Sequence, residues 1–155
     1  MKVPIYWLDR AGQTATSLSE PAFPFVDIEI SNGGGLWHSV QAVVDTACMG
    51  TMVTRELAQA WRLNPGMTAE MTGNWSKTEV QFYTGNMRYQ IFPRMIMECF
   101  IGELRLDSDG FPIQALIGID TLRHGTLVLR PPPAESYLQF EISGLEARAE
   151  HPPVH

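Results

Sequence analysis

Residues 42–53 read AVVDTACMGTMV, and a second segment further along the chain, residues 115–122, reads ALIGIDTL. In the first segment an acidic residue, Asp45, directly follows the apolar end of a strand predicted for Val40–Val44. An ionisable group in such a place is costly to bury without a partner. The small residues after it, at 46–48, favour a tight turn that presents the carboxylate at the mouth of a cleft. An Asp that ends a strand is usually a turn or helix-cap residue, so this segment alone makes Asp45 one candidate for a catalytic residue.

The sequence on both sides of these segments is typical of a mainly β domain. Residues 25–30 alternate between apolar and polar, and the glycine-rich turn at 32–35 joins them to residues 40–44 as a hairpin. Thr54 predicts the N-cap of a short helix over 55–62. The remaining predicted elements are hairpins between 68 and 90 with turns at 72–75 and 84–86, strands within 91–106, a strand at 115–118, a helical turn at 120–124 and a hairpin of 126–129 with 137–142.

Composition divides the chain into one domain and two flanking pieces. Residues 1–22 begin with a short apolar piece and become polar and small, which indicates an N-terminal arm or linker bounded by Pro21 and Pro24. Residues 23–143 contain the predicted strands and helices of a single domain. Residues 144–155 are polar, as in a flexible C-terminal tail. The total of 155 residues is enough for one domain with a hydrophobic core.

Charge and residue usage argue against several classes of protein. The net charge is −6 and no basic stripe is present, which disfavours a nucleic-acid partner. No window approaches the roughly 20 apolar residues of a membrane span, and the N-terminus does not resemble a signal peptide, so no membrane partner is expected. Two cysteines form no disulfide framework, which favours the cytoplasm. No cofactor is expected, and no metal either, because the four histidines lack ligand spacing.

The two opening segments, taken in order, resemble the motifs of the retropepsin-like aspartic proteases (clan AA). That family has two apolar residues, Asp, Thr or Ser, and Gly, and later an apolar-apolar-Gly strand followed by a short helix. Here these are Val43–Ala47 and the floor strand Leu116, Ile117 and Gly118. The resemblance covers roughly residues 23–143 and is strongest to bacterial single-domain members. It implies a mainly β, closed-barrel acid protease fold with one or two short helices.

The resemblance also implies a mechanism and a partner. One chain supplies one Asp45, so a two-carboxylate site requires a homodimer with twofold symmetry. Two facing carboxylates hold one shared proton; the ionised one activates water to attack a peptide carbonyl and the other polarises that carbonyl. The active-site loop is Thr46, Ala47 and Cys48, in which the Thr46 hydroxyl bonds across the dimer. The flap tip that closes over a peptide or protein substrate is assigned to residues Gly73, Asn74 and Trp75.

This sequence departs from the family pattern at two places. Ala47 stands where the family usually has Gly, and a methyl group is tolerated there only at negative φ. Met49 and Ile119 stand where retroviral members carry an acid and an arginine, a concerted change that suggests a hydrophobic contact in place of an ion pair. These departures favour the main alternative function, a catalytically inactive peptide-binding or dimerisation module.

Other interpretations of single residues stay open at this stage. Asp120 fits a structural cap of the following turn better than a second catalytic carboxylate. Cys48 is a possible nucleophile of a cysteine-dependent hydrolase, although no histidine lies near it in sequence and a buried free cysteine usually packs as a small apolar group. Trp75 fits the core about as well as the flap.

Overall fold

The structure is a computed structural model that describes residues 1–17, 21–72, 77–104 and 113–140. These residues form one sheet of ten strands with two short helices, which confirms the mainly β class and the expected one or two helices. The strands are β1 Lys2–Asp9, β2 Ala22–Ser31, β3 His38–Val44, β4 Thr51–Thr54, β5 Asn64–Thr72, β6 Lys77–Tyr89, β7 Met97–Leu104, β8 Ala115–Ile117, β9 Thr126–Val128 and β10 Ser136–Gln139. The helices are α1 Arg55–Ala60 and α2 Ile119–Leu122.

The strands lie in the order β5-β6-β7-β4-β8-β3-β2-β1-β10-β9, and β6 makes an additional pairing with β2. The β2–β3 and β9–β10 pairs are antiparallel, as the sequence predicts. The β3–β8 and β4–β7 pairs are parallel, so their partners come from distant parts of the chain. The closed barrel remains an expectation, since the structure establishes a single sheet with this extra pairing.

The first helix follows its sequence signals closely. Thr54 is the N-cap, and its side chain accepts a hydrogen bond from the backbone N–H of Leu57. The helix ends at Ala60, slightly before the predicted end, with Trp61 as the C-cap. Arg62 follows with φ of 52°, a left-handed conformation that turns the chain into β5.

The N-terminal residues lie inside the sheet and not in an appended arm. Lys2–Ile5 pair with β10, and Tyr6–Asp9 pair with β2. Val3 and Ile5, two residues apart in β1, are both buried because alternate side chains of a strand point to the same face. Pro4 is tolerated in this strand because the half of β1 that contains it pairs with β10 alone. Its missing N–H therefore removes no hydrogen bond to a second neighbouring strand. The residues of the predicted tail, 144–155, lie outside the described part of the chain.

The turn predicted at 84–86 is wrong, because β6 runs through these residues without interruption. Gly85 instead allows β6 and β2 to approach each other closely. A Cβ atom at this position would lie 2.9 Å from the carbonyl oxygen of Ser31 and 3.2 Å from the side chain of Ile101. Glycine therefore lets β6 contact β2 while it also pairs with β7.

Two apolar clusters stabilise the sheet from its two faces. The larger contains Ile28, Ile30, Ile101 and Ile117, all fully buried. The smaller includes one row of residues that are direct partners on successive strands: Phe25, Val43, Leu116 and Met52 from β2, β3, β8 and β4. In the described residues, no helix is both long enough and apolar enough to cross a membrane.

Candidate active site

Asp45 lies where three strands meet. β8 is inserted between β3 and β4, parallel to the first and antiparallel to the second. The chain therefore leaves β3 after Val44, passes the end of β8 and returns as β4. This path brings residues 45–50 against the residues that follow β8, although the two segments are far apart in sequence. Sequence order alone predicted two motifs, and the sheet brings them together.

Three backbone hydrogen bonds join the two segments. The N–H of Asp45 donates to the carbonyl of Ile117 at 3.0 Å. In return, the N–H of Ile119 donates to the carbonyl of Cys48 at 2.9 Å, and that of Asp120 to the carbonyl of Met49 at 3.1 Å. The Asp45 loop is thus held by the end of β8 at one side and by the first residues of α2 at the other.

Gly118 allows this close packing. A Cβ atom on this residue would lie 2.6 Å from the carbonyl oxygens of both Cys48 and Gly50 and 2.8 Å from the nitrogen of Gly50. Real Cβ atoms do not come so near to backbone atoms, so any larger residue would displace the Asp45 loop. The glycine in the floor strand is therefore required by contact with the loop, and its φ of −104° demands no glycine.

The Asp45 side chain is half-buried and held at one oxygen. Its Oδ1 accepts a hydrogen bond of 2.8 Å from the backbone N–H of Ala47. This is an Asx-type turn, which the small residues after Asp45 accommodate. The other oxygen, Oδ2, has no hydrogen-bond partner within the described residues. Thr46 and Ala47 are exposed beside it, so one face of the loop is uncovered in the single chain.

Ala47 has no backbone strain. Arg62 is the one non-glycine residue with positive φ in the described part of the chain, so Ala47 does not adopt the conformation that favours glycine. The methyl group at this family glycine position is thus tolerated by the backbone. Its side chain is exposed and leaves the loop-to-turn hydrogen bonds undisturbed.

Asp120 acts as a structural bridge between the two segments. Its Oδ2 accepts the backbone N–H of Thr51 at 3.0 Å, and its Oδ1 accepts the Thr51 hydroxyl at 3.2 Å. Oδ1 also accepts the N–H of Thr121 at 2.7 Å, and the two threonine hydroxyls lie 2.8 Å apart. The sequence did not single out Thr51, which is fully buried. A polar residue opening an otherwise apolar strand was the signal that could have identified it.

Cys48 lacks the surroundings of a nucleophilic cysteine. Burial is the main cause that raises the pKa of its thiol; the hydrogen bond to Gly50 lowers it, and the nearby Asp45 and Asp120 carboxylates raise it, so that the net shift is upward. Its Sγ lies 3.2 Å from the carbonyl oxygen of Gly50 and 3.6 Å from the sulfur of Met52. A reactive cysteine has a lowered pKa, so this environment argues against the cysteine-hydrolase alternative.

The apolar pair at 49 and 119 does not form a buried contact in the single chain. The Met49 side chain is 71% exposed, and Ile119 is half-buried. The connection between these positions runs through the backbone, where the N–H of Asp120 donates to the carbonyl of Met49. An exposed methionine beside the candidate catalytic residue leaves apolar surface available to another molecule.

The long hairpin of β5 and β6 packs against the strand that leads to Asp45. Thr72 pairs with Lys77 near the end of the hairpin, and the proposed flap tip, Gly73, Asn74 and Trp75, lies outside the described residues. Nearer its base, Val80 and Phe82 pack with the row that contains Val43. Val43 lies in β3, which ends at Val44, directly before Asp45.

No cluster of metal ligands occurs among the described residues. Two cavities of about 420 and 460 Å³ lie elsewhere on the molecule, and neither has Asp45 in its lining. One forms beside β5–β7, and the other between β1 and the residues before β10. Neither of these two cavities encloses Asp45.

Comparison with known proteins supports the fold. No protein-family model matches the chain, and no curated protein matches it. Among solved structures, it is similar to a retropepsin-like aspartic protease from Rickettsia conorii, with a TM-score of 0.55 and 14% sequence identity. That match covers 90% of this chain and 91% of the other. The path of the backbone is thus shared with an aspartic protease over nearly the whole length of both chains.

Proposed function

We propose that this protein is an aspartic endopeptidase that acts as a homodimer, with Asp45 of each subunit forming the catalytic pair. The observation that carries the proposal is the locked arrangement of residues 45–50 against Gly118–Asp120. It fixes one oxygen of Asp45 and leaves the other without a partner in the described chain. A carboxylate held in this way on an uncovered loop lacks only a second carboxylate to complete a site for water activation.

The chemistry follows from bringing two such carboxylates together. Two carboxylates within hydrogen-bond reach cannot both be ionised, so the pair holds one proton. The ionised member accepts a proton from water as the water attacks the peptide carbonyl, and the protonated member donates a hydrogen bond to the carbonyl oxygen. The proton taken from water then passes to the nitrogen of the departing amine. The exposed Thr46 and Met49 belong to the surface that the second subunit covers.

The expected substrate is an extended peptide. Val43, Leu116 and Met52 are buried, so they support the segments around Asp45 and offer no surface to a substrate. We propose that the peptide binds over the Asp45 loop as an added strand. The β5–β6 hairpin, including Gly73, Asn74 and Trp75, then closes over it as the flap.

A peptide-library digest at mildly acidic pH tests the proposal. The wild type should cleave, pepstatin should inhibit it, and Asp45→Asn should reduce the rate by several orders of magnitude, since it removes the group that activates water. The matched control is Glu135→Gln, the same loss of charge at an exposed position in the β9–β10 connection. This variant should cleave at the wild-type rate.

Each alternative function gives a different outcome in the same digest. A dimeric wild type that cleaves nothing indicates the inactive binding module, for which Met49 and Ala47 are the favouring residues. Cleavage that survives Asp45→Asn and is abolished by a thiol reagent assigns the chemistry to Cys48. Either outcome overturns the endopeptidase proposal.

A further inference from the structure

A polar cavity lies away from Asp45, where the turn after β2 meets strands β5, β6 and β7. Its volume is about 420 Å³. The lining combines three amide side chains, one carboxylate and one aromatic ring, from Asn32, Asn64, Asn86, Glu98 and Phe100. None of its lining residues belongs to the Asp45 loop or to the turn after β8. The endopeptidase proposal assigns it no role.

Side-chain hydrogen bonds fix one wall of this cavity. The Asn32 amide donates to the carbonyls of Trp61 and Arg62 at 3.4 and 3.2 Å, which joins the turn after β2 to the end of α1. The Asn64 amide donates to the Asn32 carbonyl at 3.0 Å, which adds the start of β5. Three separate elements are thus tied together, and the cavity is formed before any ligand arrives.

The register of the strands aligns the other groups on one face. Phe100 of β7, Thr84 of β6 and Asn64 of β5 are direct partners in a row across three strands. In the neighbouring row, Glu98 is paired with Asn86. Glu98 and Phe100 are two residues apart on the same strand and so project to the same side. A carboxylate and an aromatic ring therefore lie side by side at the cavity.

Several of these groups have no partner among the residues that the structure describes. The Thr84 hydroxyl, the Asn86 amide and the Glu98 carboxylate make no hydrogen bond or ion pair to any residue that the structure describes. The Phe100 side chain is 61% exposed, unusual for a phenylalanine on a central part of a strand. An unpaired carboxylate next to an exposed aromatic ring favours a ligand that is both cationic and able to stack.

We propose that this cavity binds the guanidinium group of an arginine side chain carried by a peptide or protein. A guanidinium is planar, offers five N–H donors in a fork that fits a carboxylate, and stacks on aromatic rings. Glu98 accepts the fork, Phe100 supports the plane, and the amide oxygen of Asn64 accepts a further N–H. Anions are repelled by Glu98 and by the net charge of −6, whereas cations are attracted.

An NMR titration with short peptides tests this assignment. The probe is acetyl-Gly-Arg-Gly-amide, compared with the same peptide carrying citrulline, which has the shape of arginine without its charge, and with a lysine version. We expect saturable amide shifts at Asn86, Glu98 and Phe100, with a Kd in roughly the millimolar range for a ligand of this size. The citrulline peptide should bind about fivefold more weakly, and the lysine peptide should bind less tightly than arginine.

Substitutions separate the cavity from general charge effects. Glu98→Gln should weaken the arginine peptide by about fivefold, and Phe100→Leu by about threefold through the lost ring. The matched control is Glu79→Gln, which removes an equal charge from an exposed position on β6 outside the cavity and should leave the Kd unchanged. Added salt should weaken binding of the arginine peptide and leave that of the citrulline peptide little changed.

Three outcomes overturn the proposal. These are equal affinity for the citrulline peptide, an equal effect of Glu79→Gln and Glu98→Gln, and no shift in the cavity at about 20 mM peptide. The test is independent of the endopeptidase proposal, because binding is measured without cleavage and at residues separate from Asp45. An inactive protein could still bind arginine here, and an active one could fail to.

Discussion

Replacing Gly118 with alanine perturbs the packing on which the candidate site depends. The new methyl would meet the carbonyl oxygens of Cys48 and Gly50 at 2.6 Å and the nitrogen of Gly50 at 2.8 Å. Adding atoms to a well-packed site costs about 1–3 kcal/mol, and here the obstructing atoms are backbone that cannot rotate away. We therefore expect a loss of about 3 kcal/mol in the free energy of unfolding.

The loss is measured by urea unfolding and by the melting temperature. For a protein of this size, about 3 kcal/mol corresponds to a fall of roughly 6–12 °C in Tm. The matched control is Gly50→Ala in the opposing loop, where an added Cβ meets nothing within 4 Å and φ is not positive. That variant should change stability by less than about 0.5 kcal/mol. Equal stability of Gly118→Ala and wild type would show that the two segments are not packed as described.

Three further predictions concern the same loop. Asp120→Asn should lower the free energy of unfolding, measured by urea unfolding, by about 1–2 kcal/mol. Both carboxylate oxygens accept hydrogen bonds from Thr51, and an amide would turn one N–H toward a donor. Unchanged stability would refute the structural role of Asp120. Ala47→Gly should cost about 0.5 kcal/mol, since glycine gains flexibility in the unfolded chain without relieving any strain; a stabilised variant would reveal a strained alanine. Alkylation of Cys48 by iodoacetamide, followed by mass spectrometry, should be slower at neutral pH than that of a free cysteine, because the raised pKa keeps the thiol protonated. The rate should continue to rise above the pH at which alkylation of a free thiol reaches its plateau.

Local patterns predicted the elements around the site because each element has a local cause. The alternation of residues 25–30 and the Thr54 cap gave β2 and α1 with small errors at their ends. The glycine of the floor strand followed from resemblance, and its physical reason, contact with Cys48 and Gly50, became visible once the sheet placed the two loops together. Such a contact joins residues far apart in the chain, so no window of sequence contains it.

The errors have physical causes of the same kind. Gly85 and Asn86 predict a turn by residue type, but glycine is needed at 85 because the Ser31 carbonyl oxygen of another strand lies too close for a Cβ atom. Pro21 and Pro24 suggested the boundary of an N-terminal arm, but Pro24 lies within β2, in the stretch that pairs with β1. Propensity reports what a residue allows locally, and tertiary contacts then decide which of the allowed roles it takes.

Mixing the wild type with Asp45→Asn tests the central claim most directly. The two proteins are unfolded together in equal amounts and refolded at constant total concentration, and peptide cleavage is then compared with that of wild type alone. If each site needs Asp45 from both subunits, random pairing leaves about one quarter of the dimers active. A site contained within one chain would instead retain about one half of the activity. A result of one quarter is predicted, and one half would contradict the proposed shared site.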